Sequence, residues 1–352
     1  MSWPLHWQQV TPLTRLARPL AGLFARLSQH QKIKSLQQRE ALPVPVIIVG
    51  NIVVGGTGKT PMIAWLAGHL RALGCTPGII SRGHGGRKRG PWQVGATDKA
   101  SEVGDEPLQL ARQTGVPVCI GKNRLAAARY LLDREPEINV LISDDGLQHY
   151  RLPRDLELCL FDGQAGIGNG ELLPAGPLRE PLSRLNETDL VICKSQPVPD
   201  LARWDPLVMS LTAGELRPLS ANQAGPSGKS TELPTPRTQD QAVVAVCGIG
   251  QPESFFQLLR RQGWAIEPMA LPDHGALSKK QISALAGRTV LMTSKDAVKL
   301  KGRTLPCNAY EVPLQVAFSD SHLNRLSAAL ERVLGRQATV SDVESESSQR
   351  ST

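Results

Sequence analysis

Aromatic side chains are scarce in this chain, at 4% of 352 residues. Aliphatic side chains must therefore fill its cores. Stacking platforms for bases are too few for an RNP-like cluster, which argues against a nucleic-acid reader. No two of the six cysteines stand in a CxxC spacing, and several lie inside aliphatic runs, as in Val116-Pro117-Val118-Cys119-Ile120. They are expected to be buried, reduced thiols of a cytosolic protein. Long apolar runs are also missing. The best window, Leu13–Leu27, is interrupted by Arg15, Arg18, Pro19 and Arg26, whereas a spanning helix needs roughly 20 mostly apolar residues. A secretory signal is not expected, because no basic n-region leads into an uninterrupted apolar core.

What the chain does have is positive charge, +8 in all. Six Lys/Arg against the single acid Glu40 put +5 of it in residues 1–40. At about 100° per residue, Leu13, Leu16, Ala17, Leu20, Leu23, Phe24 and Leu27 share one helical face. Arg15, Arg18 and Arg26 lie opposite, and Trp3 and Trp7 precede the pattern. Two readings stay open for residues 1–40: an amphipathic helix in a membrane interface, or a helix docked on its own domain with a solvated basic face.

Strand and helix patterns then alternate. Strands are predicted at Val44–Val49, Val116–Ile120, Val140–Ser143, Leu156–Phe161, Leu190–Lys194, Ala242–Cys247 and Thr289–Thr293. Helices are predicted at Pro61–Leu73, Lys122–Arg134, Glu253–Gln262, Ser278–Leu285 and Ser321–Leu334. This rhythm predicts an α/β fold with largely parallel sheets. Residues 213–240 are rich in Pro, Gly, Ser and Thr and read as a surface loop. Residues 337–352 lack apolar periodicity and read as a disordered tail.

Between the first strand and the first long helix lies Gly55-Gly56-Thr57-Gly58-Lys59-Thr60-Pro61. A glycine loop that opens a helix presents consecutive N–H groups to an anion. Its Lys reaches the terminal phosphates of ATP and its Thr hydroxyl holds Mg²⁺. The common spacing wants Gly at position 53, where this chain has Val53; strand before and helix after are as a P-loop requires. A second Gly-Lys-Ser, at Gly228-Lys229-Ser230, has no strand before it and is set aside.

Asn139–Ser143 is an apolar strand that ends in Asp144 and Asp145, the place of a Walker-B acid. Two adjacent acids cannot leave a strand in one direction, so one is expected on the metal and one behind it, in either order. Asp105, before Glu106 and Pro107, reads equally as a helix N-cap. Asp273-His274 is undecided from the residues alone. Arg82 lies in a flexible basic loop, Ser81 to Gly86, suited to an anionic group.

These segments together resemble the tetraacyldisaccharide 4′-kinase family. The likeness spans roughly residues 10–335. It is carried by Val49-Gly50-Asn51 with the phosphate loop, Ser81-Arg82-Gly83, Val103-Gly104-Asp105-Glu106-Pro107 and Gly121-Lys122-Asn123-Arg124. It continues through Asp144-Asp145-Gly146-Leu147-Gln148-His149, Leu173 to Pro181, Pro272-Asp273-His274 and Lys295 to Lys299. His84 stands where the family often has Tyr, Ser294 where it often has Glu, and 213–240 looks like an insertion.

The resemblance implies a P-loop NTPase-like fold of two α/β/α lobes joined by a short two-stranded ribbon. The lobes are expected at 41–155 and 162–308, the ribbon near Leu156–Phe161 and Tyr310–Val316, with the last helix, 321–335, back on the first lobe. The implied activity is ATP- and Mg²⁺-dependent phosphorylation of the 4′-hydroxyl of a tetraacyldisaccharide 1-phosphate, giving lipid IVA in lipid A biosynthesis. The implied location is the cytoplasmic face of the inner membrane. By resemblance Asp105 is the base and His274 orients it. Lys59 serves the phosphates, Thr60 with Asp144 or Asp145 the metal, and Arg82, Arg124 and Arg179 a phosphate of acceptor or nucleotide. Rival P-loop classes fit less well. A GTPase lacks its guanine reader at Cys193-Lys194-Ser195-Gln196, and a membrane-associated partitioning ATPase lacks its Lys at Val54.

Overall fold

The aliphatic runs become the parallel strands of two sheets. The computed structural model describes residues 3–219, 242–272, 275–300 and 303–349, with side chains through 335. Its first part holds α1 (Leu5–Gln8), α2 (Pro12–Gln37), β1 (Val46–Gly50), α3 (Lys59–Ala72), β2 (Pro77–Ser81), β3 (Trp92–Gln93), α4 (Ala100–Val103), α5 (Asp105–Thr114), β4 (Val118–Ile120), α6 (Arg124–Arg134), β5 (Val140–Asp144), β6 (Leu156–Asp162), β7 (Leu190–Lys194) and β8 (Leu207–Ala213). The remainder holds β9 (Arg217–Pro218), β10 (Val243–Cys247), α7 (Pro252–Arg261), β11 (Ile266–Ala270), α8 (Lys279–Ala284), β12 (Thr289–Thr293), α9 (Ser294–Leu300), β13 (Asn308–Val312), β14 (Leu314–Phe318) and α10 (Asp320–Gln349).

The first sheet runs β14-β8-β7-β6-β1-β5-β2-β4-β3, parallel except at its two edges, and the second runs β11-β10-β12-β13-β9. β1 is central, in parallel register with β5 on one side and β6 on the other. Its residues alternate between two cores, as the two-residue period of a strand requires. Ile47 and Val49 meet Met62, Ile63 and Leu66 of α3 and Leu326 and Leu330 of α10. Val46 and Ile48 meet Ala127, Ala128 and Leu131 of α6. The expected α/β, P-loop architecture is thus present.

Three boundaries differ from expectation. Strand β6 is buried along its whole length between β1 and β7, so it belongs to the sheet interior and cannot be half of a ribbon. The ribbon is β8 paired antiparallel with β14, from Leu314 opposite Ala213 to Phe318 opposite Met209. The chain crosses between sheets at 214–216 and again at Pro313, which lacks the N–H to continue a ladder, and there Gly214 N–H donates to the Pro313 carbonyl at 2.8 Å. The first lobe therefore includes β6, β7 and β8, and the second begins at β9 rather than at residue 162. Lastly, α10 continues to Gln349 through residues 337–349. Extending a helix already nucleated on a core adds a hydrogen bond per residue, and this needs no apolar stripe. Most of the expected 213–240 loop, with Gly228-Lys229-Ser230, lies outside the described residues.

Residue Thr11 caps α2, exchanging side-chain hydrogen bonds with Thr14, and Pro12 occupies the first turn. The helix docks by a face of small and polar residues, Thr14, Ala17, Ala21, Ala25 and Ser28, with ion pairs at its edge. Arg18 pairs with Glu171 at 2.8 Å and Lys32 with Glu187 at 2.7 Å. Leu13, Leu16, Leu20, Leu23 and Leu27 face outward, Leu16 at 76% exposure. Arg15, Arg18 and Arg26 are exposed too, so the basic face stays solvated while the leucines also face outward. Among the described residues no helix is long and apolar enough to cross a membrane.

Candidate active site

β1 ends mid-sheet, and the phosphate loop leaves from its carboxyl end, where parallel α/β sheets open their ligand crevices. Buried Asn51 donates Nδ2 to the Gly55 carbonyl at 3.4 Å and to the Thr57 hydroxyl at 3.3 Å, curling the loop back on its start. Gly58 caps α3 at φ 87°. The backbone there favours glycine; a Cβ would lie 2.7 Å from Met209 Cε and 3.3 Å from Lys194 Cδ, the ends of flexible side chains that can shift. Lys59 and Thr60 form the first turn of α3, whose unpaired amides and dipole favour an anion. All of Gly55 to Pro61 line one cavity of about 1580 Å³.

Asp144 and Asp145 both line that cavity, because Asp145 turns out of the strand at φ 50°. Their surroundings differ. Asp144 is buried and accepts a 2.7 Å hydrogen bond from the Ser81 hydroxyl. Burial, then the negative charges of Glu106 and Asp145, push its carboxyl up to about 7. Asp145 meets Lys59 Nζ at 3.4 Å and Arg179 Nη1 at 3.1 Å. Burial opposes its charge, but the two cations outweigh it and hold the carboxyl down at about 2. The acid short of positive charge is thus Asp144, and the one already clamped is Asp145.

Arg82 and Arg179 line the cavity as well. Arg124 is buried at the start of α6, where Nη1 donates to the Gly121 carbonyl at 2.8 Å and Nη2 to the Asp144 carbonyl at 3.2 Å. It buttresses the main chain behind Asp144. Burial lowers its guanidinium to about 10, against the pull of Asp144 and Asp145. His149 shares the wall, and burial, followed by the Arg124 charge, depresses its imidazole to about 4.

Asp105 opens α5 right after Gly104, while the next residue, Glu106, faces the cavity. The second lobe comes to Asp105 through α9, with Lys299 Nζ 3.4 Å from Asp105 Oδ2. Arg112 donates to the Val298 carbonyl at 3.1 Å, and Val298 packs on Val103, Leu108 and Ile120. His274 lies outside the described residues. Its neighbour Gly275 accepts a 2.8 Å hydrogen bond from the same Lys299 Nζ.

The family model for "Tetraacyldisaccharide-1-P 4′-kinase" matches residues 13–333. The chain belongs to that family. It is 46% identical over 336 residues to a tetraacyldisaccharide 4′-kinase of Alkalilimnicola ehrlichii, covering 94% of this chain and 97% of the relative. It is 41% identical over 337 residues to that of Pseudomonas aeruginosa, with 92% and 97% covered. Among solved structures it is similar to a crystal structure of LpxK from Aquifex aeolicus in complex with ATP, with TM-score 0.69, 25% identity, and 92% and 99% covered.

In this 4′-kinase family member several site residues have no individual signal in the sequence. Glu106 and Gln148 lie inside the quoted motifs yet carry no motif-level role. Gln148 Nε2 donates to the Asn51 carbonyl at 3.1 Å and to Glu180 at 2.7 Å, tying the acid turn to the loop. Lys194 pairs with Asp162 at 2.6 Å, and both line the cavity floor. Their only trace in sequence is a polar residue ending each of two neighbouring apolar strands.

Proposed function

We propose that this chain transfers the γ-phosphate of ATP to the 4′-hydroxyl of an acylated glucosamine disaccharide 1-phosphate, the lipid A-pathway reaction that yields lipid IVA. The observation that carries this is the pairing of the phosphate loop and Walker-B acids with a second lobe closing on Asp105, in a chain of the 4′-kinase family. Family membership leaves the partitioning ATPase without support.

The loop amides and Lys59 bind the β- and γ-phosphates. Lys59 arrives already oriented by Asp145, which Arg179 also holds. Asp105 accepts the proton of the attacking hydroxyl, and Lys299 keeps its carboxylate positioned at the lobe junction. His274, outside the described residues, keeps the role of orienting the base that the family resemblance implies. Arg82 and Arg179 take the charge of the phosphates, and Arg124 fixes Asp144 from behind.

Mg²⁺ fits this donor set. Asp144 lies beside Glu106 with its carboxyl raised, so a cation there would favour its ionised form, and the Thr60 hydroxyl opens α3 in the same cavity. Among the described residues no three His, Cys, Asp or Glu side chains are grouped to hold an ion alone. Mg²⁺ bound through one or two carboxylates plus substrate phosphates needs no such cage. When bound, it would neutralise charge between the β- and γ-phosphates.

The outward leucines of α2 support a seat on the cytoplasmic face of the inner membrane. Phe24, Ser28 and Lys32 of the same helix line the cavity, so an acyl disaccharide could enter from the bilayer surface. The test is transfer from ATP to a tetraacylated disaccharide 1-phosphate in detergent micelles, with Lys59→Ala and Asp105→Ala beside wild type. Lys59→Ala should abolish transfer. Asp105→Ala should keep ATP binding and lose about 10²–10⁴ in turnover, the usual weight of a general base. Near-normal turnover in Asp105→Ala would remove it from the mechanism.

A further inference from the structure

The phosphate loop is held at Val54 by two segments from outside it. The Val54 N–H donates to the Pro177 carbonyl at 2.9 Å. The Val54 carbonyl accepts the indole N–H of Trp3 at 3.0 Å. Trp3 itself packs against the core that contains Ile52, Val53 and Leu178.

One peptide unit contains both the Val54 carbonyl and the Gly55 N–H. A trans peptide is planar, so these two groups point in opposite directions. A donor that holds the carbonyl on one side fixes the amide hydrogen on the other. Gly55 sits at φ 128°, in a region open to glycine, where a peptide turns over at little steric cost. Without an outside partner for its carbonyl, this plane has the least local constraint in the loop.

We infer that Trp3 is a positioning residue for the nucleotide: its indole N–H sets the Val54–Gly55 peptide so that the Gly55 amide faces the phosphates of ATP. The inference rests on the ATP reading above. Trp3 acts through the loop and needs no contact with the ligand. Its own placement is fixed by the chain that follows it. Asn169 Nδ2 donates to the His6 carbonyl at 2.6 Å, Asn169 N–H to the Trp7 carbonyl at 2.8 Å, and Trp7 Nε1 to the Pro174 carbonyl at 3.0 Å. Trp7 thus anchors the same segment without touching the loop, which makes it an internal control.

The experiment is calorimetric binding of ATP with Mg²⁺ to the full chain in detergent, without acceptor, for wild type, Trp3→Phe and Trp7→Phe. Phe keeps the packed ring and removes the donor. Trp3→Phe should weaken ATP about 5–20-fold, because binding must then hold in place a peptide whose half-buried carbonyl has lost its donor. Trp7→Phe should change it less than about twofold. In turnover, Trp3→Phe should raise the KM for ATP and leave the KM for the acceptor unchanged. Trp3→His, which returns a ring N–H, should recover part of the affinity, and it decides the matter if Trp3→Phe proves unstable. Unchanged ATP affinity in Trp3→Phe, or equal weakening in both Phe variants, would overturn the inference, the latter because it shows only that the N-terminal segment must dock. Wild type that binds no ATP would instead overturn the nucleotide reading on which it rests.

Discussion

Lys299 Nζ, on the second lobe, stands 3.4 Å from Asp105 Oδ2 on the first, and also donates to the Gly275 carbonyl at 2.8 Å. One flexible cation therefore joins the proposed base to the loop that follows His274. In the proposed mechanism, closing the lobes and orienting the base would be one event, coupling chemistry to exclusion of water.

Lys299→Met should therefore lower kcat by about 10–10²-fold, the scale of misplacing a reacting group by an ångström. ATP affinity should stay within about twofold, because the phosphate loop lies in the other lobe. Steady-state kinetics with a separate ATP-binding measurement check this. An unchanged kcat would show that Lys299 serves only lobe packing.

How much of this was legible in the sequence depends on the range of the interactions involved. β1, β5 and β7 are short apolar runs with turn residues beyond them, and local pattern suffices to read them. The phosphate loop is local too, so Lys59 and Thr60 could be placed at a helix opening, though the helix starts at Lys59, two residues before the predicted Pro61. The ribbon was misassigned because β6 and a ribbon strand have the same local sequence character. What separates them is that β6 has parallel neighbours on both sides, a long-range fact. The expected strand at Tyr310–Val316 overlaps β14, but β8 escaped notice because it is half-buried and its strand character comes from distant partners, β7 on one side and β14 on the other. The division of labour between Asp144 and Asp145 likewise depends on Lys59, Arg179 and Glu106 arriving from other elements. The α2 helix was readable as amphipathic, but its docking face is the small and polar one, edged by ion pairs to Glu171 and Glu187, more than 150 residues away in the chain.

Gly58→Ala should weaken ATP binding about 5–30-fold. A left-handed alanine costs about 1–2 kcal/mol in backbone energy alone. Its Cβ would also push aside Met209 Cε, 2.7 Å away at the end of a flexible side chain. Calorimetry and a thermal melt together test this. Wild-type ATP affinity in the variant would show that the loop adopts another conformation when nucleotide binds.

The leucine face of α2 can be tested without touching the cavity. Leu16→Glu with Leu20→Glu places two charges where the side chains are 76% and 59% exposed. Stability should move by about 0.5 kcal/mol or less per site, as for exposed positions elsewhere. Co-sedimentation with vesicles containing anionic lipid should fall sharply, since both buried apolar area and surface charge drive interfacial binding. Undiminished sedimentation would assign membrane contact to another surface.

Beneath the site, Arg184 is enclosed by acids and a phenol. Its Nη2 donates to both Glu157 oxygens at 2.6 and 2.7 Å, and its Nε to the Tyr150 hydroxyl at 3.0 Å, with the side chain 2% exposed. Burial opposes the charge, yet Glu157 and Tyr150 outweigh it and raise the guanidinium above its ordinary value. Arg184→Met fills the space but leaves Glu157 with Arg154 alone, at 2.5 Å. Removing one partner of a buried ionic group costs about 3–5 kcal/mol, and the surviving Arg154 contact places this variant at the lower end. Urea unfolding should show an unchanged slope and a midpoint lowered by that free energy divided by the slope. Because Glu180 also bonds Gln148, which bonds the Asn51 carbonyl, ATP binding should weaken along with stability. A variant that loses stability yet binds ATP normally would show that the cluster supports the fold without reaching the phosphate loop.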